Sequence, residues 1–122
     1  MDREAFEAVV EEVLETLPED FSRHLDNVAV LIEDEASPQL LRSLGMNPRR
    51  DALFGLYQGT PLDRRGATHG NALPDTITIY YRPLLRAYTT PAQLRREIRK
   101  TVIHEIGHYF GLDEDEIERL GY

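Results

Sequence analysis

Apolar residues recur with a helical period in two parts of the chain. Near the start, acidic residues alternate with an apolar stripe, which predicts an amphipathic helix over 2–16; the stripe consists of Phe6, Val9, Val10, Val13, Leu14 and Leu17. The second helix is predicted over 90–111, TPAQLRREIRKTVIHEIGHYFG. Its Thr90 has capping-box spacing to Gln93, Pro91 suits the first helical position, and Gly111 suits the position after the helix.

Three other segments have the pattern of β-strands. NVAVLIED, 27–34, is a short apolar run between polar residues and is typical of a buried strand. ALFGLYQG, 52–59, predicts a second strand, although Gly55 weakens it. TITIYY, 76–81, predicts a third, closed by Pro83, and such a strand at a sheet edge could bind an extended peptide.

Two short helices and one long loop complete the pattern. SPQLLRSLG, 37–45, combines a Ser cap, a first-turn Pro and a terminal Gly. DEDEIERLGY, 113–122, begins with capping-box spacing between Asp113 and Glu116. Residues 60–75 have no periodicity and are rich in Gly, Pro, Asp and Asn, as in loops that are functional or disordered. The order predicts one α+β domain over 1–122, with a small mixed sheet and flanking helices.

Composition narrows the classes of function. The net charge of −8 disfavours nucleic acid as the main partner. The chain has no cysteine, which excludes a thiol nucleophile and thiolate metal ligands. No stretch approaches the ~20 apolar residues of a membrane span, and the acidic start lacks the features of a signal peptide. We therefore expect a cytoplasmic protein without a membrane partner. A basic patch on the second long helix is interpreted as a solvated face: Arg95, Arg96, Arg99 and Lys100.

The candidate chemistry lies in HEIGH, residues 104–108. On a helix, His104 and His108 are one turn apart, with Cβ atoms ~5–6 Å from each other, so that both imidazoles can reach one zinc ion. Glu105 falls beside them on the same arc, where it can take a proton from water activated by the metal. This is the H-E-x-x-H arrangement of two ligands and a general base. The bland alternative is a pair of polar histidines on an exposed helix face.

A catalytic zinc ion also needs a third protein ligand and an open position. Gly111 would end the helix and let the acidic segment turn back toward the histidines. Glu114 falls at the last position of H-x-x-x-H-x-x-G-x-x-[HD] spacing and is the favoured third ligand. Asp113 and Asp115 are alternatives, although Asp113 suits a helix cap. His69 in the long loop and, less so, His24 are weaker candidates.

The motif resembles that of the zincin metallopeptidases, and the chain is most similar to a small bacterial minimal-zincin family of zinc-dependent proteases. The similarity covers LFGLYQGTPL, LPDTITIYYRP and the terminal HEIGHYFGLDEDEIERLGY. It implies a minimal zincin-like fold, one Zn²⁺ held by His104, His108 and Glu114, and Glu105 as base. The family pattern has Asp where this chain has Glu114, and the chain lacks a Met-turn.

The resulting hypothesis is a zinc metallopeptidase that hydrolyses a peptide or protein substrate. Tyr80, Tyr81, Tyr88 or Tyr109 could each stabilise an oxyanion, although packing is the simpler role for each. The alternatives are a catalytically silent peptide-binding or regulatory module on the same scaffold and a domain that binds no metal. The sequence defines neither the substrate nor the oligomeric state.

Overall fold

A small mixed sheet and a long central helix organise the chain. The computed structural model describes residues 1–61 and 75–122. Its helices are α1 (Arg3–Glu15), α2 (Glu19–Ser22), α3 (Pro38–Ser43), α4 (Tyr81–Ala87), α5 (Pro91–Tyr109) and α6 (Glu114–Arg119). Its strands are β1 (Val28–Glu33), β2 (Gly55–Gln58) and β3 (Asp75–Tyr80). The predicted α+β class is confirmed.

The sheet has the order β1-β3-β2, with β1 parallel and β2 antiparallel to β3. The third predicted strand is therefore central, and the prediction that it could lie at an edge is wrong. A central strand has both sides paired, so it offers no backbone groups to an incoming peptide. Within the described part of the chain, β1 and β2 form the two edges of the sheet.

The apolar face of α1 packs on α5, and α5 in turn packs on the sheet. Phe6 of α1, Ile77 of β3 and Ile98 of α5 are fully buried in one core cluster. Arg95 and Arg99 of α5 reach the polar groups of Glu12 and Thr16 on α1. Part of the predicted solvated basic face therefore connects the two helices.

Local sequence explains where the long helix begins and ends. The Thr90 side chain accepts a hydrogen bond from the Gln93 N–H, and Pro91 takes the first turn, where no backbone N–H is needed. At the other end, Gly111 has φ of 92°, a value that favours glycine. The chain reverses there and enters α6, which places the acidic segment over the last turns of α5.

Two short helices, α2 and α4, were not predicted. Residues 81–87 form α4, although Pro83 was expected to close a strand. Pro83 lies in the first turn of α4, where a missing N–H costs no helical hydrogen bond. Among residues 1–61 and 75–122, no helix combines the length and the apolarity needed to cross a bilayer.

Candidate metal centre

The two histidines of α5 lie side by side at the surface of a cleft. Their ring centroids are 5.0 Å apart, and their side chains are 20% and 24% exposed for His104 and His108. Because they are four residues apart, they project from successive turns on one face of the helix. Both rings are thus partly buried where they line the cleft.

One nitrogen of each ring is anchored to a backbone carbonyl. His104 Nδ1 lies 3.1 Å from the Tyr122 carbonyl oxygen, and His108 Nδ1 lies 3.0 Å from that of Leu112. A carbonyl oxygen only accepts, so both Nδ1 atoms must carry the proton and donate it. This pairing directs both Nε2 atoms toward the cleft, which is how protein metal sites orient their histidines.

Glu114 receives both Nε2 atoms. Its carboxylate oxygens lie 2.8 Å from His108 Nε2 and 3.0 Å from His104 Nε2. The capping box of α6 fixes this position, because Asp113 accepts from the Glu116 N–H and Glu116 accepts from the Asp113 N–H. Asp113 is therefore committed to the cap, and Glu114, next along the chain, is turned toward the histidines.

The contacts among these side chains shift the pKa values of His104 and Glu114. Burial lowers the pKa of His104, but its hydrogen bonds to Tyr122 and Glu114 and the nearby carboxylates more than offset this, so that the pKa lies above 6.5. Burial raises the pKa of Glu114, but hydrogen bonds from His104 and His108 prevail and hold it below 4.5. The contact between His104 and Glu114 therefore favours the charged form of each.

Glu105 is the most buried ionisable group of the cluster, with 7% exposure. Its Oε1 accepts a hydrogen bond of 2.9 Å from the Tyr57 N–H of β2. Burial raises the pKa of Glu105 above 4.5, although the histidine charges and this hydrogen bond oppose the rise. One oxygen of the Glu105 carboxylate is therefore anchored to the backbone of β2.

The close approach of β2 to α5 depends on Gly55. A Cβ at this position would lie 2.8 Å from Thr101 Cγ2 and 3.1 Å from Glu105 Cγ. Any side chain would push the strand away from the helix and lengthen the bond between Tyr57 and Glu105. The glycine that weakened the strand prediction is thus the residue that lets the strand contact Glu105.

The donor set fits a divalent cation. The ligand atoms of His104, Glu105 and His108 lie within 4.8 Å of one another. That group includes Glu105 and leaves out Glu114, whereas the contacts of 2.8 Å and 3.0 Å join Glu114 to both Nε2 atoms. We give Glu114 the greater weight as a ligand, because Glu105 is already bound to the Tyr57 N–H. Two imidazoles and a carboxylate are a ligand set that zinc favours.

These residues line a cleft of about 760 Å³ between β2 and α5. One wall carries Leu53, Phe54 and Tyr88, and the other carries the cleft face of α5. The turn from Gly111 to Glu114 also lines the cleft, as do both histidines.

The other sequence candidates take different places. His69 lies outside the described residues. His24 is exposed and its ring packs against Phe110, at 5.7 Å between centroids. Asp115 is exposed on the first turn of α6 and, among the described residues, does not belong to the cleft lining.

The four tyrosines also separate. Tyr109 is buried and donates to the His24 carbonyl, while Tyr81 donates to the Met1 carbonyl. Tyr80 is 2% exposed within β3, and burial, followed by the charges of Glu33 and Glu105, raises its pKa above 10.0. Tyr88 is the one of the four that lines the cleft.

Three backbone groups of the site were missed by the sequence analysis, namely the Tyr57 N–H and the main-chain oxygens of Leu112 and Tyr122. Side-chain motifs give no signal for backbone partners, because nearly every residue carries the same N–H and C=O. Gly55 in LFGLYQG was the available signal, since a glycine within a strand often marks a close approach.

Comparisons with known proteins indicate the family and the fold of the chain. A family model described as Zincin-like metallopeptidase matches residues 25–122. Among solved structures, the chain is similar to a conserved hypothetical protein from Thermus thermophilus, with 28% sequence identity and a TM-score of 0.59. That similarity covers 98% of this chain and 97% of the other. No curated protein matches the chain.

Proposed function

Because the chain belongs to the zincin-like metallopeptidase family, we propose that it is a zinc-dependent peptidase with one zinc ion per chain. His104, His108 and Glu114 would hold the ion, and Glu105 would be the general base. The observation that carries the proposal is the convergence of both Nε2 atoms on Glu114 while both Nδ1 atoms donate to carbonyls.

The residues of the cleft divide the work. A zinc ion held there would act as a Lewis acid, which polarises a carbonyl and lowers the pKa of water to about 7. Glu105 takes the proton from the attacking water with its second oxygen, while the Tyr57 N–H holds the first. It then gives that proton to the leaving amine. The anchored histidine rings keep the ligand atoms in place throughout.

The edge of β2 that faces away from β3 supports a peptide as the substrate. The Phe54 carbonyl accepts from the Tyr80 N–H. Alternate residues of an edge strand direct their backbone groups to opposite sides. Gly55 and Tyr57 therefore direct theirs away from β3. The Tyr57 N–H is bound to Glu105, and the backbone groups of Gly55 face the cleft. An extended peptide bound there would add a strand to the sheet and pass the histidines.

A catalytically silent peptide-binding module is the second candidate function. A Glu105 side chain held away from the histidines would favour it, and the bond from the Tyr57 N–H points in that direction. However, Glu105 also belongs to the group whose ligand atoms lie within 4.8 Å of one another. This proximity supports a role in which the Tyr57 N–H orients the Glu105 carboxylate and the carboxylate still acts on water bound near the histidines.

The variant Glu105→Gln tests the proposed function. It should keep zinc affinity and lose hydrolysis by roughly 10²–10⁴-fold, because it removes only proton transfer. Zinc affinity is measured by calorimetry, and turnover is measured on a peptide library. His104→Ala is the control and should lose both. Equal turnover by wild type and Glu105→Gln would contradict the mechanism, and zinc binding without any turnover by the wild type would favour the silent module.

A further inference from the structure

Among the described residues, a lysine lies in the cleft beside the histidines. Lys100 is exposed and lines the cleft, one helical turn before His104 on α5. It makes no hydrogen bond or ion pair with the residues that the structure describes. It is also the only lysine among the 14 basic residues of the sequence, all the others being arginine. The other charged side chains on the described cleft wall, histidines aside, are carboxylates.

The neighbouring carboxylate is engaged elsewhere. Glu97 also lines the cleft, one turn before Lys100. Burial, followed by the charge of Glu97 and a hydrogen bond to it, raises the pKa of Tyr88 above 10.0. Glu97 therefore interacts with Tyr88. Lys100 lies between Glu97 and the histidines along α5, and no side chain of the described residues binds its ammonium.

The direction of β2 shows which part of a bound peptide would meet Lys100. Gly55 contacts Thr101 and Glu105, whereas Tyr57 contacts Glu105 and, through its ring, Tyr109. Strand and helix therefore run in the same direction along the cleft. A peptide paired antiparallel to β2 runs the opposite way, so that its C-terminal part lies at the Lys100 end. Antiparallel pairing is the commoner kind in sheets.

The distance suits a group close to the scissile bond. Four residues of helix advance about 6 Å, and an extended peptide advances about 3.3 Å per residue. Lys100 therefore lies about two peptide residues from His104. The side chain is flexible enough to meet either a C-terminal carboxylate or an acidic side chain at that place.

We propose that Lys100 determines specificity by binding a substrate carboxylate on the C-terminal side of the scissile bond. The ligand is either the C-terminal carboxylate of a short peptide or the side chain of an acidic residue. The proposal rests on the peptidase function proposed above. Beside it, Leu53 and Phe54 form an apolar wall, so the preferred substrate combines an apolar side chain with this carboxylate.

A matched set of peptides tests the proposal. Four peptides have the same sequence except at the second residue after the scissile bond, which is Glu or Gln. Each of these two sequences is made with a free and with an amidated C-terminus. Zinc-loaded wild type should cleave a carboxylate-bearing peptide about twofold to fivefold better than the neutral one, as an exposed charge pair allows. Comparing Glu with Gln, and a free with an amidated C-terminus, shows which of the two carboxylates is bound.

Variants of Lys100 assign the preference to this residue. Lys100→Gln should abolish the preference, and Lys100→Glu should reverse it, with zinc affinity unchanged in both. Arg96→Gln is the matched control, because Arg96 is exposed on the same helix and does not line the cleft. It should keep the wild-type preference. An unchanged preference in Lys100→Gln would overturn the proposal while leaving the peptidase intact.

A binding measurement separates this proposal from the peptidase itself. Protein labelled at lysine gives one side-chain NMR signal, because the sequence has one lysine. The signal should shift with the carboxylate peptides and not with the neutral one, in zinc-loaded Glu105→Gln protein that cannot turn them over. A shift without cleavage by the wild type supports Lys100 and contradicts the peptidase. Cleavage without any shift overturns the Lys100 proposal, and neither binding nor cleavage overturns both.

Discussion

At the scale of the residue, Glu114 and Asp113 show how two adjacent acids acquire different roles. Asp113 accepts from a backbone N–H in the cap of α6, whereas Glu114 reaches two imidazoles across the turn. The capping-box spacing and the motif spacing in the sequence both predicted this division. The longer side chain of glutamate, in place of the aspartate of the family pattern, still reaches both rings.

The two alanine variants should therefore have opposite effects. Glu114→Ala should weaken zinc binding strongly and change the zinc-free free energy of unfolding little, because its carboxylate is 63% exposed. Asp113→Ala should cost about 0.5–2 kcal/mol of that free energy, as cap removal does, with a modest effect on zinc. Calorimetry gives the affinities and urea unfolding gives the stabilities. Zinc affinity that survives Glu114→Ala would remove Glu114 from the ligand set.

Proton competition gives the second prediction at this scale. Zinc needs the neutral form of His104, whose pKa in the zinc-free protein lies above 6.5. Because its pKa is raised, His104 keeps its proton up to a higher pH. As the pH is lowered, zinc affinity should therefore begin to fall while the pH is still above 6.5. Glu114→Gln removes part of what raises this pKa and should move the fall to lower pH. Calorimetry between about pH 5 and about pH 8 measures the zinc affinity. An affinity that does not change across that range would exclude histidine ligands.

At the scale of the element, local patterns predicted the long helices well and the sheet order poorly. The stripe of α1 and the caps of α5 depend on residues near in sequence, so their bounds were found within a residue or two at most ends. Sheet order depends on contacts between distant segments, and alternation in 76–81 cannot distinguish a central strand from an edge strand. Helix α4 was missed because Pro83 was interpreted as the end of a strand, although the first turn of a helix accepts proline.

The two ligand histidines were predictable because their spacing is itself a geometry. The third contact depended on a turn at Gly111 and a cap at Asp113, both of which leave local signals. The groups that anchor Glu105 and His104 left no such signal, because they are backbone groups of β2 and of the last residue of the sequence. Gly107 is an intermediate case: a glycine is costly within a helix and so suggests a close neighbour, which is the Ile117 side chain.

Gly107 therefore governs how closely α6 packs on α5. A Cβ at Gly107 would lie 2.9 Å from Ile117 Cγ1, and Ile117 is 2% exposed. Alanine gains about 1 kcal/mol of helix propensity, but overpacking costs about 1–3 kcal/mol. Gly107→Ala should on balance destabilise the protein, and it should weaken zinc binding because α6 carries Glu114.

A double variant controls for helix propensity. Ile117→Ala alone should cost about 2–5 kcal/mol through its cavity. Combined with Gly107→Ala, the cost should be smaller than the sum, because the new methyl group enters the space that Ile117 leaves. Urea unfolding of the three variants measures the coupling. Strictly additive costs would show that the two positions do not touch in solution.

At the scale of the whole molecule, the fold divides into a core and an appended functional helix. The core joins α1, β3 and α5 through fully buried residues such as Phe6, Ile77 and Ile98. Helix α6 has one buried residue, Ile117, and is otherwise held by its cap and by Glu114. Zinc bound between α5 and α6 would add a second attachment to this helix.

Zinc should therefore stabilise α6 more than the rest of the structure. A ligand that binds only the closed state adds about 2.7 kcal/mol at a concentration 100 times its Kd. Amides of α6 that exchange by local opening should then slow by about 100-fold, because that opening separates Glu114 from the histidines. Amides of α1 that exchange by fraying should be unchanged, since fraying leaves the site closed. Hydrogen exchange with and without zinc measures the rates for both helices. The control variant His108→Ala should show no effect of zinc. Equal slowing of α1 and α6 would contradict a site that bridges α5 and α6.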